Sequence, residues 1–435
     1  MSKKKNTTIY RLMAVWPLLS GIALLTASNG LQGTLLGLRA NAEGFPVEMI
    51  GVIMAVYYGG YLFACRYVPP LISSVGHIRV FAALASIASG GVLLYTLFPN
   101  PYLWMILRLS TGFCFCGLFI IAESWLNQIS SRKQRGTIFS AYIAIVNGGL
   151  FCGQFLINLA PVTSAYLFIL VSVMISFALA PITLTNKPAP RYKKPEVVKF
   201  LDMLKKYPLP MAGVFASGIC SSSIIGLGPV YANMQGMDTG SISFFMAIFI
   251  LGNALLPLLM GALSDRMDRI HVIHIIAFIG MTTAAVIAAY GDPYHVIIFI
   301  LGGMTASLYS ASITYLNDQI KKSQIVSASR ALIMFNGIGA MIGPIITGYF
   351  LSHFQSEVFF LVICFYMLVF MSFAIYRNIV GRHINNKRSF VQVPAFSAPS
   401  IMRLNADPPQ NQTPSPNTLL RKGMIPPENH EDKKS

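Results

Sequence analysis

The sequence predicts an all-α membrane protein of twelve transmembrane helices, arranged as two six-helix repeats that share one orientation. Three observations carry this reading. Of its 435 residues, 54% are hydrophobic and only 11% charged, with a mean hydropathy of +0.62, too little charge to cover a soluble domain. Apolar runs of about 20 residues, the length that crosses a hydrocarbon core of roughly 30 Å, recur along the chain. Displacing the sequence by about 190 residues also lays Trp125-Leu126-Asn127 over Tyr315-Leu316-Asn317 and Gly153 over Gly343, as an internal repeat requires.

The runs occupy 13–38, 47–68, 79–98, 102–126, 137–158, 163–184, 209–232, 241–262, 271–290, 294–317, 328–350 and 356–377. Residues 1–11 are basic and polar, and the run after them is longer than the core of a signal peptide, so it is read as a retained first span. The first half is 1–185. A linker, 186–208, gathers Pro188, Pro190, Pro195 and Pro208 among lysines. Its segment 196–206 spaces Val197, Leu201 and Leu204 helically, which suits a helix lying on lipid headgroups. The second half is 209–380. From 381 to 435 the composition turns to Pro, Asn, Ser, Lys and Arg, which cannot bury a core and is expected to be disordered.

The formal net charge is +17. It does not point to nucleic acid, because its carriers follow the spans. Lys3, Lys4, Lys5, Arg132, Lys133, Arg135, the linker lysines, Arg266, Arg269, Lys321, Lys322 and the tail fall on one side of a twelve-span topology, with Arg39 opposite. By the positive-inside rule both termini are cytoplasmic. The six cysteines lie within the spans. Cys114 and Cys116 sit about 200° apart on a helix, so they are read as buried thiols rather than a joint metal site. No phosphate-cradling Gly-Lys-Ser/Thr, nucleophile elbow or metal-ligand set is present, so neither an enzyme nor a cofactor is expected.

One loop organises the rest. Gly261-Ala262-Leu263-Ser264-Asp265-Arg266-Met267-Asp268-Arg269 lies between two long runs free of Asp, Glu, Lys and Arg, so its charges belong at a membrane face. Two carboxylates and two guanidiniums there can clamp neighbouring helix ends through charge-assisted hydrogen bonds. The pattern resembles the loop signature of the major facilitator superfamily of transporters. The matching place in the first half reads Gly76-His77-Ile78-Arg79, which keeps the turn and a basic residue but lacks the Asp. Glu123-Ser124-Trp125-Leu126-Asn127, followed by Arg135-Gly136 and Tyr142, resembles a bacterial branch of that superfamily called YcaD-like. The resemblance covers about residues 10–380. It implies a monomeric transporter of the bacterial inner membrane, surrounded by lipids, that moves a small-molecule substrate by rocking its halves around a midplane cavity.

A charge at the centre of a span costs roughly 2.5–3.5 kcal/mol on insertion scales, so each one calls for an explanation. Glu123 is read either as a site for coupled protons, charged when open to water and neutral when desolvated, or as a partner of Arg132 or Arg135. Arg108, followed by Gly112 and Gly117, resembles a second facilitator motif whose Arg takes part in proton or substrate handling; the competing reading is an Arg snorkelling to headgroups. Glu123 and Arg108 are roughly 22 Å apart along one helix and would serve opposite ends of a pathway. Asp318 and Arg330 are expected to pair as a second-half gate beside Asp265, Arg266, Asp268 and Arg269. The first and seventh spans line the cavity in the family, which makes Asn29, Gln32, Ser221 and Ser222 candidate substrate ligands, joined by Asn147 of the fifth; helix packing is the alternative for the small residues. The preferred function is proton-coupled transport of a small organic solute. Export of drugs or organic cations ranks second, and a non-transporting membrane sensor or scaffold third.

Overall fold

A computed structural model describes residues 16–130, 135–183, 200–291, 295–320 and 325–380. Among these residues twelve α-helices have eighteen residues or more: α1 (Trp16–Ala42), α2 (Val47–Val75), α3 (His77–Leu97), α4 (Pro101–Ile129), α5 (Arg135–Phe155), α6 (Tyr166–Thr183), α7 (Pro208–Met234), α8 (Thr239–Arg266), α9 (Arg269–Tyr290), α10 (His295–Gln319), α11 (Ile325–His353) and α12 (Val358–Val380). Ten are long and apolar enough to cross a membrane. The apolar stretch of α6 is shorter, and α1 is diluted by Ser20, Thr26, Ser28, Asn29 and Gln32. Such residues are tolerated in a span when they face other helices. Thr26, Ser28, Gln32 and Thr34 are accordingly all buried.

Local chemistry sets the helix ends. Asn100 caps α4 by accepting from the backbone N–H groups of Tyr102 and Leu103, and Asp238 caps α8 by accepting from that of Gly240. α2 runs about two turns past its expected end, through Pro69 and Pro70, and stops at Gly76, whose φ of 97° favours glycine. Before α7 lies the short helix Phe200–Lys206; Val197 and the Leu201 side chain, two of the three residues expected to face headgroups, lie outside the described residues. Met203 and the following Tyr207 are buried with Tyr309, Leu316 and Leu332 of the second half, while Leu204 is exposed. Residues 186–199 of the linker and the tail 381–435 lie outside the described residues.

The repeat seen in sequence reappears as a repeat of neighbours. In the first half α2 packs on α4, α1 on α5 and α6, and α3 on α4 and α6; in the second, α8 packs on α10, α7 on α11 and α12, and α9 on α10 and α12. Each pairing recurs six helices later. The halves meet through α2 with α11, α5 with α8, and α1 with α7. The repeat operation exchanges the first two of these seams, as an axis along the membrane normal demands.

Glycines mark the same operation at atomic distance. A Cβ on Gly60 of α2 would strike the Leu109 carbonyl of α4, and one on Gly112 the Tyr57 carbonyl. In the second half Gly252 of α8 faces the Phe299 carbonyl in this way, and Gly302 the Phe249 carbonyl. Gly153 likewise abuts the Ala27 carbonyl, and Gly343 that of Ile219. Small residues allow backbones to approach this closely. Gly112→Val should therefore cost about 1–3 kcal/mol by overpacking, read as a lower midpoint of thermal unfolding. Gly90→Ala, whose Cβ would meet open space, should leave the midpoint unchanged.

Candidate functional site

A polar seam joins α1, α2 and α4. The Arg108 guanidinium lies over the Tyr57 ring, 4.4 Å from its centroid, and its Nη2 stands 3.9 Å from the Met54 sulfur. The Asn29 side chain neighbours Tyr57. Arg108 is only 6% exposed, which places it inside the bundle and not snorkelling outward. Its Nε and Nη1, and both amide atoms of fully buried Gln32, have no hydrogen-bond partner among the described residues. Asn29, Gly33 and Gly37 form one stripe of α1 at intervals of four residues. Gly37 packs on Met54, whereas the space beside Gly33 is open, and both Asn29 and Gly33 stay half-exposed. Asn29 and Arg108, separate candidates in sequence, thus share Tyr57.

Glu123 lies roughly four turns further along α4. It is 1% exposed, and the Tyr142 hydroxyl of α5 donates to its Oε1 at 2.9 Å. Tyr61 of α2 and Tyr309 of α10 lie within electrostatic range of its charge. The Cys65 and Cys116 sulfurs meet nearby at 3.7 Å. Arg132 and the side chain of Arg135, the alternative partners, lie outside the described residues. Tyr57, Tyr61 and Tyr309 went unnoticed in the sequence because a tyrosine in an apolar run reads as packing. The cue available was that Tyr57, Tyr58 and Tyr61 recur at helical spacing opposite a polar α4.

In the second half the hydroxyls are largely committed to helix contacts. Ser222 and Ser223 donate to the Ile219 carbonyl at 3.2 and 2.8 Å, facing Gly343 of α11, and Ser217 donates to the Thr305 carbonyl at 2.7 Å. Ser221 is buried on the same helix. The Asn147 amide donates to the Ile143 carbonyl at 3.1 Å, within its own helix. Asn336 of α11 donates to the Val214 carbonyl at 2.9 Å, and its Oδ1 has no partner.

The loop charges close one end of the second half, though not as the sequence implied. Asp318 pairs with Arg269, a contact of two buried side chains across α9 and α10, and among the described ion pairs none joins it to half-buried Arg330. Arg330 enters α11 on the far side of the α10–α11 turn, whereas Arg269 opens α9 directly against the end of α10. Arg269 also donates to Ser264 Oγ at 3.0 Å and stands 4.0 Å from Asp265 at the end of α8. Arg266 and Asp268 are exposed. At the repeat position of Arg269 the first half carries His77, buried, with Nε2 3.2 Å from Ser124 Oγ of α4, while Arg79 is exposed. The inward group of the first-half turn is therefore an imidazole, and its contact is uncharged on the serine side.

A family model described as Major Facilitator Superfamily matches residues 18–293 and 235–408. An uncharacterised MFS-type transporter YcaD of Escherichia fergusonii is 25% identical over 371 residues, covering 85% of this chain and 96% of that protein. A similar MFS-type transporter of Enterobacter sp. (strain 638) is 25% identical over 358 residues, covering 81% and 93%. Among solved structures, a mutant of the nucleoside transporter NupG superposes with a TM-score of 0.73 at 15% identity, over 83% of this chain and 99% of that one. A bacterial homologue of the human lysosomal transporter Spinster, inward-facing and occupied, gives 0.70 at 13% identity, over 86% and 97%. At these identities the structural likeness is one of fold.

The buried pair sets one expectation. Arg269→Ala leaves Asp318 without its guanidinium in a dry site and should cost about 3–5 kcal/mol, seen as early unfolding in a denaturant or thermal titration. Asp265→Ala removes a half-exposed carboxylate at the limit of contact and should cost about 0–1 kcal/mol.

Proposed function

The chain belongs to the major facilitator superfamily and moves a solute across a membrane, and we propose that it couples this movement to protons at Glu123. The fold and the relatives are those of transporters, not enzymes. One observation supports the coupling above others: Glu123 is buried beside the hydroxyl of Tyr142 and within range of Tyr309 from the opposite half. A carboxylate in that setting binds a proton when desolvated and releases it when water enters. Separation of the halves moves Tyr309 away and admits water, so proton loss follows the rocking of residues 1–185 against 209–380. The proposed setting is a monomer in a bacterial inner membrane with both termini cytoplasmic, which puts the Arg269–Asp318 clamp on the cytoplasmic face. On the opposite face, Asn41 of α1 donates to Asn233 of α7 at 2.9 Å and Asn158 donates to Ser243 at 3.0 Å, linking the halves there.

One neighbour of known name is a nucleoside transporter, and for this chain the substrate is read from its own residues. Asn29 and Gln32 supply amides for a polar organic solute, with Ser221 opposite. A second reading, export of organic cations, draws on the three tyrosines around the carboxylate, since aromatic faces attract cations.

Proteoliposomes holding the wild type or Glu123→Gln, challenged with pools of amino acids, sugars or amphiphilic cations, test the proposal. Proton movement with one pool that disappears in the variant is the expected result. Solute flux and proton movement unchanged in Glu123→Gln would make that carboxylate structural. A response confined to the cation pool would favour the exporter.

A further inference from the structure

We infer that Arg108 is the anchor for a carboxylate of the transported solute, so that the substrate is a small organic monoanion bound between α1, α2 and α4. The inference rests on the reading of this chain as a solute transporter and is independent of proton handling at Glu123. Arg108 is 6% exposed, and no carboxylate lies within ion-pair reach of it among the described residues. Structural arginines in this protein are treated otherwise: Arg269 has Asp318 and Ser264, and Arg39 has Glu43 at 2.6 Å. A buried charge without an opposite charge is strongly unfavourable, so its retention calls for an occupant that supplies one.

The surroundings define that occupant. The Tyr57 face holds the guanidinium from one side, and its Nε and Nη1 have no partner, which leaves N–H groups to donate to a carboxylate. A single cation calls for a single negative charge, which favours a carboxylate over a phosphate dianion. The open space beside Gly33 lies between the Asn29–Tyr57 contact and the Gly37–Met54 contact, and Arg108 touches both Tyr57 and Met54. Met54 in turn packs on Gly226 of α7, which puts the anchor close to the seam between the halves, where an alternating-access site belongs.

The test uses the full-length chain in neutral detergent, read by thermal unfolding. Its probes are carboxylate and amide pairs, benzoate with benzamide, nicotinate with nicotinamide, and lactate with lactamide, plus benzyltrimethylammonium as a cation. At least one carboxylate should raise the wild-type midpoint while its amide and the cation do not. Arg108→Met should unfold at or above the wild-type midpoint without ligand, because it removes an unmatched charge, and should weaken the carboxylate on the order of 30-fold or more. Gly33→Leu, which fills the open space and keeps the guanidinium, should also lose the carboxylate response. Glu123→Gln should keep it, so lost proton movement with a retained carboxylate response separates the two proposals. The inference is overturned if Arg108→Met unfolds well below the wild type, if amide or cation stabilises as well as carboxylate, if Arg108→Met retains the response, or if no carboxylate stabilises the wild type.

Discussion

In hydrocarbon, packing Leu against Leu gains little over packing Leu against lipid, so helices there are held by how closely they approach. In this chain the approach is set by glycine placed opposite carbonyl: Gly60 and Gly112 between α2 and α4, then Gly252 and Gly302 between α8 and α10. These contacts fix the rigid pairs from which each half is built. They also decide where polar side chains can sit, because α1 and α7, wedged between such pairs, are shielded from lipid. Gln32, Ser217 and Ser222 are buried there at a depth that a lipid-facing helix would not permit.

Within that frame the charged groups are handled in three ways. Arg269 and Asp318 neutralise one another at a helix end, where a dry ion pair is stable only if both members stay. Glu123 is supported by a phenol hydroxyl, a partner that serves either protonation state because it can donate or accept. Arg108 has an aromatic face and a sulfur, which cushion a cation without cancelling it. The sequence distinguishes none of these, since each is one charged letter among apolar ones.

The all-helical membrane fold, most of the spans and the repeat were legible in the sequence because hydropathy and period are one-dimensional properties. The loop signature was legible too, since Asp265, Arg266, Asp268 and Arg269 are consecutive enough to form one pattern. Partner choice was not. Among the described ion pairs Asp318 binds Arg269, forty-nine residues back, as α9 packs on α10 while α11 packs on α7. Nor did spacing connect Asn29 to Arg108, since the link runs through Tyr57 on a third helix. The overrun of α2 through Pro69 and Pro70 was hidden for a different reason: proline ends helices in water, yet neighbouring helices in a bundle let one continue.

Gly51 of α2 and Gly348 of α11 meet at the contact between the halves, with a Cβ on Gly51 set to strike the Pro344 carbonyl and one on Gly348 lying 3.1 Å from the Gly51 Cα. Neither surface carries a side chain there. Interlocked side chains would have to unmesh, rotamer by rotamer, before one half could turn on the other. Two bare backbones meet here instead, so the proposed rocking of the halves would have a fulcrum with no side chains to unmesh at this point.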